Sequence, residues 1–397
     1  MRYRFLLIIL LWLFADVYFF NAVTTLTSKP VWHWLYWSAD ILIAAGIILI
    51  IFGRKAGDRT KLTSWLMALM LLSSVPKIFG SPVLLLEDMT RLFTGFGPRS
   101  VLVSELALAV AVIPFFALLF GLTRGRHHYQ VHKHTLYFDD LPEAFDGFTL
   151  TQLSDIHSGS FTDANGVNKG VDLVNAQNSD VILFTGDLVN NRASEMAPWI
   201  STFARLKAKM GKFSVLGNHD YGDYIKWDNE ALKAGNLIAL KKVHQEIGFR
   251  LLLDEAIKLE RDGQTITLIG VENWGKGGFH KYGDLDKAIQ NVDDSDIKIL
   301  MSHDPSHWEA VTLQHLKHIH LTLSGHTHGM QFGIELFGFK WSPIKYVYKQ
   351  WAGLYKQSNR YLYVNRGFGF LGLKGRVGIW PEITVITLKK SPSKSPR

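Results

Sequence analysis

Cysteine is absent from all 397 positions of this chain. That excludes disulfides and thiolate metal sites, so any bound metal must rely on nitrogen and oxygen donors, although it leaves the compartment open. Acidic residues are outnumbered, 35 to 43, for a formal charge of +8. Such an excess can signal nucleic acid, but the sequence also lacks a basic helix, a base-stacking aromatic motif or any recognised nucleic-acid module. Anionic lipid headgroups account for the charge more economically, and no nucleic-acid partner is expected. No repeat of solenoid type is present. Charge itself is scarce over the first 122 residues, where four apolar stretches run near 5–20, 34–52, 62–86 and 101–122.

A helix needs about 20 apolar residues to cross a bilayer, and most of these stretches have them. The expectation is a transmembrane region of four helices over residues 1–122. The first stretch is short and follows Arg2 and Arg4, as a signal peptide would, yet no small-x-small cleavage site stands after Phe20. Flanking basic residues sort by side, with Arg2, Arg4, Arg54, Lys55, Arg59, Lys61, Arg124 and Arg126 opposed by Lys29, Arg91 and Arg99. Eight against three puts the amino terminus and everything beyond the fourth span in the cytoplasm. Asp16, Asp40 and Lys77 fall inside the spans, all in the outer half at about 1.5 Å per residue. Charges so placed need partners. Lys77 is expected to pair with Asp16 or Asp40, the alternative being that it snorkels outward beside Pro76.

Five fragments follow in fixed order: Asp155-Ile-His157, Gly186-Asp187, Gly217-Asn218-His219-Asp220, Ser302-His303 and Gly325-His326-Thr327-His328. Each ends an apolar, β-rich run, at 148–153, 181–185, 213–216, 297–301 and 319–323, so each reads as a strand-to-loop junction, rigid yet reachable. Carboxylate, imidazole and amide donors suit divalent Mn, Fe, Zn or Co, and three such positions per ion leave room for water and substrate. A carboxylate shared by two ions can hold them about 3.5 to 4 Å apart, where a bridging water is acidic enough to attack phosphorus as hydroxide. Singly, these residues are ordinary: a strand-end His is usually structural, Gly-Asp a turn, Asn218 or Asp220 a helix cap. Five together in this order outweigh that reading.

At these fragments the chain resembles the calcineurin-like metallophosphoesterase superfamily, whose pattern is D-x-H, GD, GNH, a lone His and GHxH. The likeness spans roughly residues 129–388 and takes in 141–148 and 361–369, which are typical of the membrane-anchored bacterial branch with UDP-2,3-diacylglucosamine pyrophosphatase-type enzymes. The resemblance implies that Asp155, His157, Asp187 and His328 bind one metal, and that Asp187, as the bridge, binds a second with Asn218, His303 and His326. His219 matches the general acid that protonates the leaving alkoxide, with Asp220 as its orienting partner. Two positions depart from the pattern. Asn190 stands where the second motif often ends in Asp, so an acidic partner is missing, and Met330 replaces a Gly after the last motif. The implied fold is two mixed sheets packed face to face with helices outside and the metals at one edge. The implied setting is a bacterial inner membrane.

The residue pattern itself argues an α/β domain, with strands alternating with helical stretches at 165–177, 195–210, 228–247 and 305–316. Further runs at 250–253, 265–271, 361–364 and 382–388 would complete the sheets. The expected whole is a four-layer sandwich of two mixed β-sheets flanked by helices, preceded by a four-helix transmembrane bundle. A polar connector at 123–147, with a short strand at 135–138, leads to the catalytic domain at 148–388, and the Ser, Pro and Lys-rich tail 389–397 is expected to be disordered. His127, His128, His132 and His134 read as a solvated interfacial face rather than a metal tract. Residues 330–356 interleave apolar and aromatic side chains with Lys340, Lys345, Lys349 and Lys356, which suits either a surface at the headgroup boundary or a loop packed on the domain. Arg366, in a Gly-rich turn, is a candidate phosphate contact. The expected function is hydrolysis of a phosphodiester or pyrophosphate in a lipid-linked substrate, UDP-2,3-diacylglucosamine being the first candidate, reached from the cytoplasmic leaflet. The alternatives are a tethered phosphodiesterase for soluble substrates and a non-catalytic metal-binding sensor or scaffold.

Overall fold

Helices α1 (Arg2–Leu26), α2 (Pro30–Phe52), α3 (Arg59–Arg91) and α4 (Val101–Thr123) carry the four apolar stretches. The computed structural model describes residues 2–52 and 59–392, and these fall into two units, Met1–Gly125 with Gly372–Val377 and Arg126–Leu371 with Gly378–Arg397. In the first unit, Pro30–Ile50, Leu62–Thr94 and Val101–Thr123 are long and apolar enough to cross a membrane. Helices α1 and α3 overrun their apolar runs at both ends, because a helix continues to satisfy its own backbone where the side chains turn polar. Arg54 and Lys55, two of the residues behind the expected orientation, lie outside the described residues.

Helix α3 packs against all three others. Its Gly80 makes this possible: a Cβ there would lie 2.5 Å from the Phe19 ring and 2.6 Å from the Ala107 carbonyl oxygen. Small residues at such crossings let helix backbones approach closely, which drives packing where lipid is as apolar as Leu. Lys77 does not snorkel. Its Nζ sits 2.6 Å from Asp16 Oδ1 and 3.2 Å from Asp40 Oδ2, donates to Ser73 Oγ at 2.9 Å and lies 4.4 Å above the Tyr36 ring. It therefore pairs with both carboxylates rather than one.

The second unit contains β1 (Gln130–Phe138), β2 (Thr149–Leu153), β3 (Val181–Phe184), β4 (Lys212–Ser214), β5 (Arg250–Leu251), β6 (Glu255–Arg261) and β7 (Gln264–Gly270). It continues with β8 (Lys298–Met301), β9 (Leu321–Ser324), β10 (Ile334–Leu336), β11 (Phe339–Trp341), β12 (Gly353–Gln357), β13 (Arg360–Val364) and β14 (Glu382–Lys390). Two six-stranded sheets result, in the orders β1-β14-β2-β3-β4-β5 and β12-β13-β9-β8-β7-β6, with β10 and β11 forming a separate hairpin. Both sheets are mixed: β2, β3, β4 and β5 run parallel in one, β13, β9, β8 and β7 in the other, and antiparallel pairs β14–β2, β12–β13 and β6–β7 complete them.

Alternation along single strands assigns the layers. Val181 and Leu183 of β3 join Ile299 and Met301 of β8 in the core between the sheets, while Ile182 and Phe184 face Val167, Val171 and Val174 of the helix α5 (Ala164–Asn175). Leu300 of β8 faces the opposite outer layer with Leu285 and Ile289. Strands buried on both faces must be apolar at every position, which is why these runs show no polar alternation in sequence. The four-layer sandwich is therefore present as expected.

Several expected boundaries shift. Residues 123–147 are not all connector, because β1 pairs in parallel with β14 from Gln130 opposite Glu382 to Phe138 opposite Lys390. The same ladder takes Lys389 and Lys390 out of the expected disordered tail, whose residues 393–397 lie outside the described residues. The helix expected at 195–210 is reduced to short turns at Ala193–Met196 and Ile200–Phe203. That expected at 305–316 stops at Ala310, since Arg360 binds the carbonyls of Thr312 and His315 from outside the segment. The four histidines of 127–134 do not gather: His127 lies beside Phe370 and His134 beside Tyr363.

Removing one member of a buried charge cluster strands the others, a loss of about 3 to 5 kcal/mol in comparable pairs. Lys77→Ala should therefore lower the thermal midpoint of the detergent-extracted protein by several degrees, read by intrinsic tryptophan fluorescence. An unchanged midpoint would mean that the pairing contributes nothing.

Candidate metal centre

Strands β2, β3 and β4 of one sheet and β8 and β9 of the other end at one edge of the sandwich, and each delivers one of the five fragments there. Asp155, His157, Asp187, His326 and His328 all adopt left-handed backbone, with φ of 52°, 48°, 61°, 71° and 51°. Non-glycine residues seldom occupy this region, and a cluster of them persists only where the surroundings over-determine it. Asp220 supplies part of that constraint. Its Oδ2 accepts the N–H groups of Gly217 and Asp187, each at 2.9 Å, and its Oδ1 that of Leu188 at 2.8 Å. A side chain at Gly217 would push a Cβ to 2.2 Å from Asp187 Oδ1, and one at Gly325 to 2.2 Å from Asp155 Oδ2. Glycine is required at both positions for the loops to close on the carboxylates.

All seven expected ligands converge. Asp187 Oδ2 lies 3.5 Å from His157 Nε2 and 3.2 Å from His303 Nε2, so a single oxygen stands between two groups of donors. On one side His157 and His328 flank Asp155, whose Oδ1 is 3.3 Å from His328 Nε2. On the other, Asn218 Oδ1 is 3.1 Å from His303 Nε2 and 2.8 Å from His326 Nδ1. Neighbouring groups fix which atoms face inward. Asn218 donates its amide to Tyr224 Oη at 2.8 Å, which leaves its carbonyl oxygen toward the histidines, and His303 Nδ1–H donates to the Thr185 carbonyl at 2.7 Å, which turns Nε2 toward Asp187 and Asn218.

These residues fit a cation. His157 is fully buried, and its ring nitrogens make no hydrogen bond of ordinary geometry among the described residues, Nε2 lying 3.5 Å from Asp187 Oδ2. Asp155 and Asp187 are buried carboxylates within the same cluster and demand positive charge. The protein's own groups answer chiefly through His303: burial pulls its imidazole down, but Asp187 and Asp155 outweigh burial and hold it up at about 10. Burial meanwhile pushes His157 down to about 3, keeping it neutral and able to donate a lone pair. A donor set of oxygen and nitrogen with no sulfur matches borderline divalent ions.

His219, like His326, is only partly buried, whereas the other five expected histidine and carboxylate ligands and Asn218 are buried. The His219 Nδ1–H donates to the carbonyl of Asn190 at 2.8 Å and its ring lies tilted against Tyr224 at 4.4 Å, so its Nε2 is the nitrogen left for a substrate. The expected partner Asp220 does not orient it. That carboxylate is consumed by loop N–H groups, and the Asn190 main chain does the orienting instead. Arg366, expected to meet phosphate, is 3% exposed and gives its guanidinium to Glu335 and Glu382. Its geometry is that of a brace.

Three flanking residues escaped the sequence reading. Tyr348 Oη lies 2.8 Å from His326 Nε2 and 3.4 Å from Asp304 Oδ2, and holds the outer nitrogen of that histidine. Tyr224 stands beside both Asn218 and His219. Next to Asn218 opens a cavity of about 160 Å³ walled by Tyr224, Asn273, Phe279, His280 and Tyr282. Only Asp304, adjacent in sequence to His303, carried any signal.

Residues 148–330 match the family described as calcineurin-like phosphoesterase, and residues 1–126 match one described as probable calcineurin-like phosphoesterase, transmembrane domain. The Bacillus subtilis protein named uncharacterized metallophosphoesterase YkuE is 29% identical over 269 residues, covering 67% of this chain and 87% of that protein. An Aquifex aeolicus uncharacterized metallophosphoesterase is 27% identical over 280 residues, 69% of this chain and 98% of its own. The Danio rerio transmembrane protein with metallophosphoesterase domain is 29% identical over 294 residues, but this 72% of the chain spans only 63% of the fish protein. Residues 148–330 are thus a calcineurin-like phosphoesterase domain preceded by a transmembrane domain over residues 1–126, and the unit that gathers the seven donors is a metal-dependent phosphoesterase.

Proposed function

We propose that the protein hydrolyses a phosphodiester or pyrophosphate bond in a lipid-linked substrate at the cytoplasmic face of an inner membrane. Asp155, His157, Asp187 and His328 would hold one divalent ion, and Asp187, Asn218, His303 and His326 a second, with Mn, Fe, Zn and Co the candidates. The observation that carries this reading is the position of Asp187 Oδ2 between His157 and His303. When bound, two such ions supply Lewis-acid neutralisation of phosphoryl oxygens and an acidified water. The chain's own groups do the rest. Asn190 fixes the His219 tautomer with the proton on Nδ1, so a protonated His219 can give its Nε2 proton to the leaving oxygen and return to the neutral form held in place. The partly open setting of His219 and the adjacent aromatic cavity support a substrate approaching from that side.

The lipid-linked part of the proposal rests on the membrane domain and on the resemblance to pyrophosphatases of UDP-2,3-diacylglucosamine, which makes that compound the first to try. A panel comparing lipid-linked pyrophosphates with bis-p-nitrophenyl phosphate decides it. Preference for the lipid-linked members is expected. Equal or better turnover of the soluble diester, unaffected by added lipid, would instead make the protein a tethered phosphodiesterase.

His219→Ala should retain its metal and lose about 10²- to 10⁴-fold in turnover, most for substrates with poor leaving groups. Loss of metal from that variant would recast His219 as a ligand. A second expectation concerns protons. With His303 held at about 10, its proton must leave before Nε2 can bind a cation, so metal affinity should rise with pH from 6 to 9, by up to about tenfold per unit. Titrating metal into weakly buffered protein should release acid, and a pH-independent affinity would contradict the assignment of His303.

A further inference from the structure

Between the His328 turn and Tyr348, β10 and β11 form a hairpin with Ile334 opposite Trp341, Glu335 opposite Lys340 and Leu336 opposite Phe339. Phe337 and Gly338 make the turn, at φ of 50° and 81°. Two-residue turns of this hand favour Asn or Asp before Gly, because a short polar side chain tolerates left-handed backbone and water. A phenylalanine satisfies neither condition. It is 98% exposed, and around it Leu336, Phe339 and Ile334 are 58%, 60% and 48% exposed, with Tyr346 and Val347 both at 75%. Exposed apolar side chains on one face of the hairpin, Ile334, Leu336 and Phe339, beside a turn whose backbone would prefer a polar residue, mark a contact rather than a packing accident.

The base of the hairpin is rigid. Glu335 is held by Arg366 through two hydrogen bonds of 3.0 and 2.6 Å, and Arg366 is itself anchored on the buried Glu382. Lys340 folds back to the Ala352 carbonyl and lies 4.9 Å over the Trp351 ring, while Ser342 Oγ donates to the Gly329 carbonyl at 2.8 Å. Trp351, Ala352 and Ile379 form a small buried core at this base. The polar and packed residues therefore end where the tip begins, and the tip alone projects.

We propose that the tip of the β10–β11 hairpin inserts into the acyl–headgroup boundary of an anionic bilayer. Charge favours this occupant, since Lys345 is exposed next to Tyr346 and Val347 in the same segment and the chain as a whole is basic at +8, while Lys349 is paired with Glu309. Tethering favours it too, because a chain with membrane-spanning helices keeps a bilayer at high effective concentration and needs little intrinsic affinity for a second contact. Insertion would also reach the metal centre, since the segment leaves from His328 and returns at Tyr348, whose hydroxyl holds His326. The contact stands whether or not the substrate is a lipid.

The absence of native cysteine makes the test direct. Phe337→Cys and, as a control, Leu316→Cys, at a site fully exposed in the same unit, are labelled with an environment-sensitive nitrobenzoxadiazole probe. Full-length protein is reconstituted in vesicles of equal phosphatidylcholine and phosphatidylglycerol, with and without doxyl-labelled lipid. The probe at 337 is expected to emit at shorter wavelength than the control and to lose roughly half its emission to the doxyl lipid. Replacing Leu336 and Phe339 by Ser in a Val347→Cys background should reduce quenching at 347 while leaving turnover of bis-p-nitrophenyl phosphate unchanged, which shows that the variant folds. A probe at 337 that is as water-exposed and unquenched as the control overturns the proposal. So does one that is blue-shifted yet unquenched, which would point to a second copy of the chain.

Discussion

Two carboxylates buried side by side, Asp155 and Asp187, set the terms for everything around them. Neither can be ionised at that depth without positive charge, and every nearby feature serves to hold that charge in one place. Histidines approach from both sheets. Asp220 gathers the loop N–H groups, and glycines at 217 and 325 remove the atoms that would keep the loops apart. Five of the expected ligand residues hold left-handed backbone as a consequence. A sandwich whose two sheets end at a common edge is what allows donors from residue 155 to residue 328 to meet, and the double-sided core between and outside the sheets keeps that edge rigid.

The same rule operates in the transmembrane unit with opposite sign. There a lysine is central and two aspartates surround it, Asp16 from α1 and Asp40 from α2, with the ring of Tyr36 beneath. Three helices are thereby tied at one depth by an interaction whose disruption leaves charge in hydrocarbon. Close packing through Gly80 adds contact, but contact between apolar helices distinguishes poorly among registers, whereas a buried ion cluster permits few.

The metal fragments were legible because the chemistry restricts them to a few residue types and the loops restrict their neighbours to glycine. The strands before them were legible for a related reason, as continuous apolar runs such as 181–184 occur where both faces are covered. Tyr224 and Tyr348 were not, since each reaches its histidine through tertiary folding that leaves no periodicity. Asp220 misled because adjacency to His219 in sequence is not adjacency of side chains in a tight turn, where the carboxylate curls back to its own loop. Strand β6, Glu255–Arg261, was missed because it is an edge strand carrying charges that read as loop. The stretch 330–356 admitted two readings, and the packed one describes its base, where Ile344, Tyr348 and Trp351 are buried or half-buried together, while Phe337 and Val347 are exposed.

The central claim is that Asp187 joins two metal positions into one centre. Metal content of Asp187→Ala and Asp155→Ala, measured beside wild type and combined with anomalous diffraction from the loaded wild-type protein, tests it most directly. The account predicts two ions about 3.5 to 4 Å apart in wild type, loss of both from Asp187→Ala, and retention of the ion held by Asn218, His303 and His326 in Asp155→Ala. A single ion in fully loaded wild type, or an Asp187→Ala protein that gives up only one of two, would contradict it.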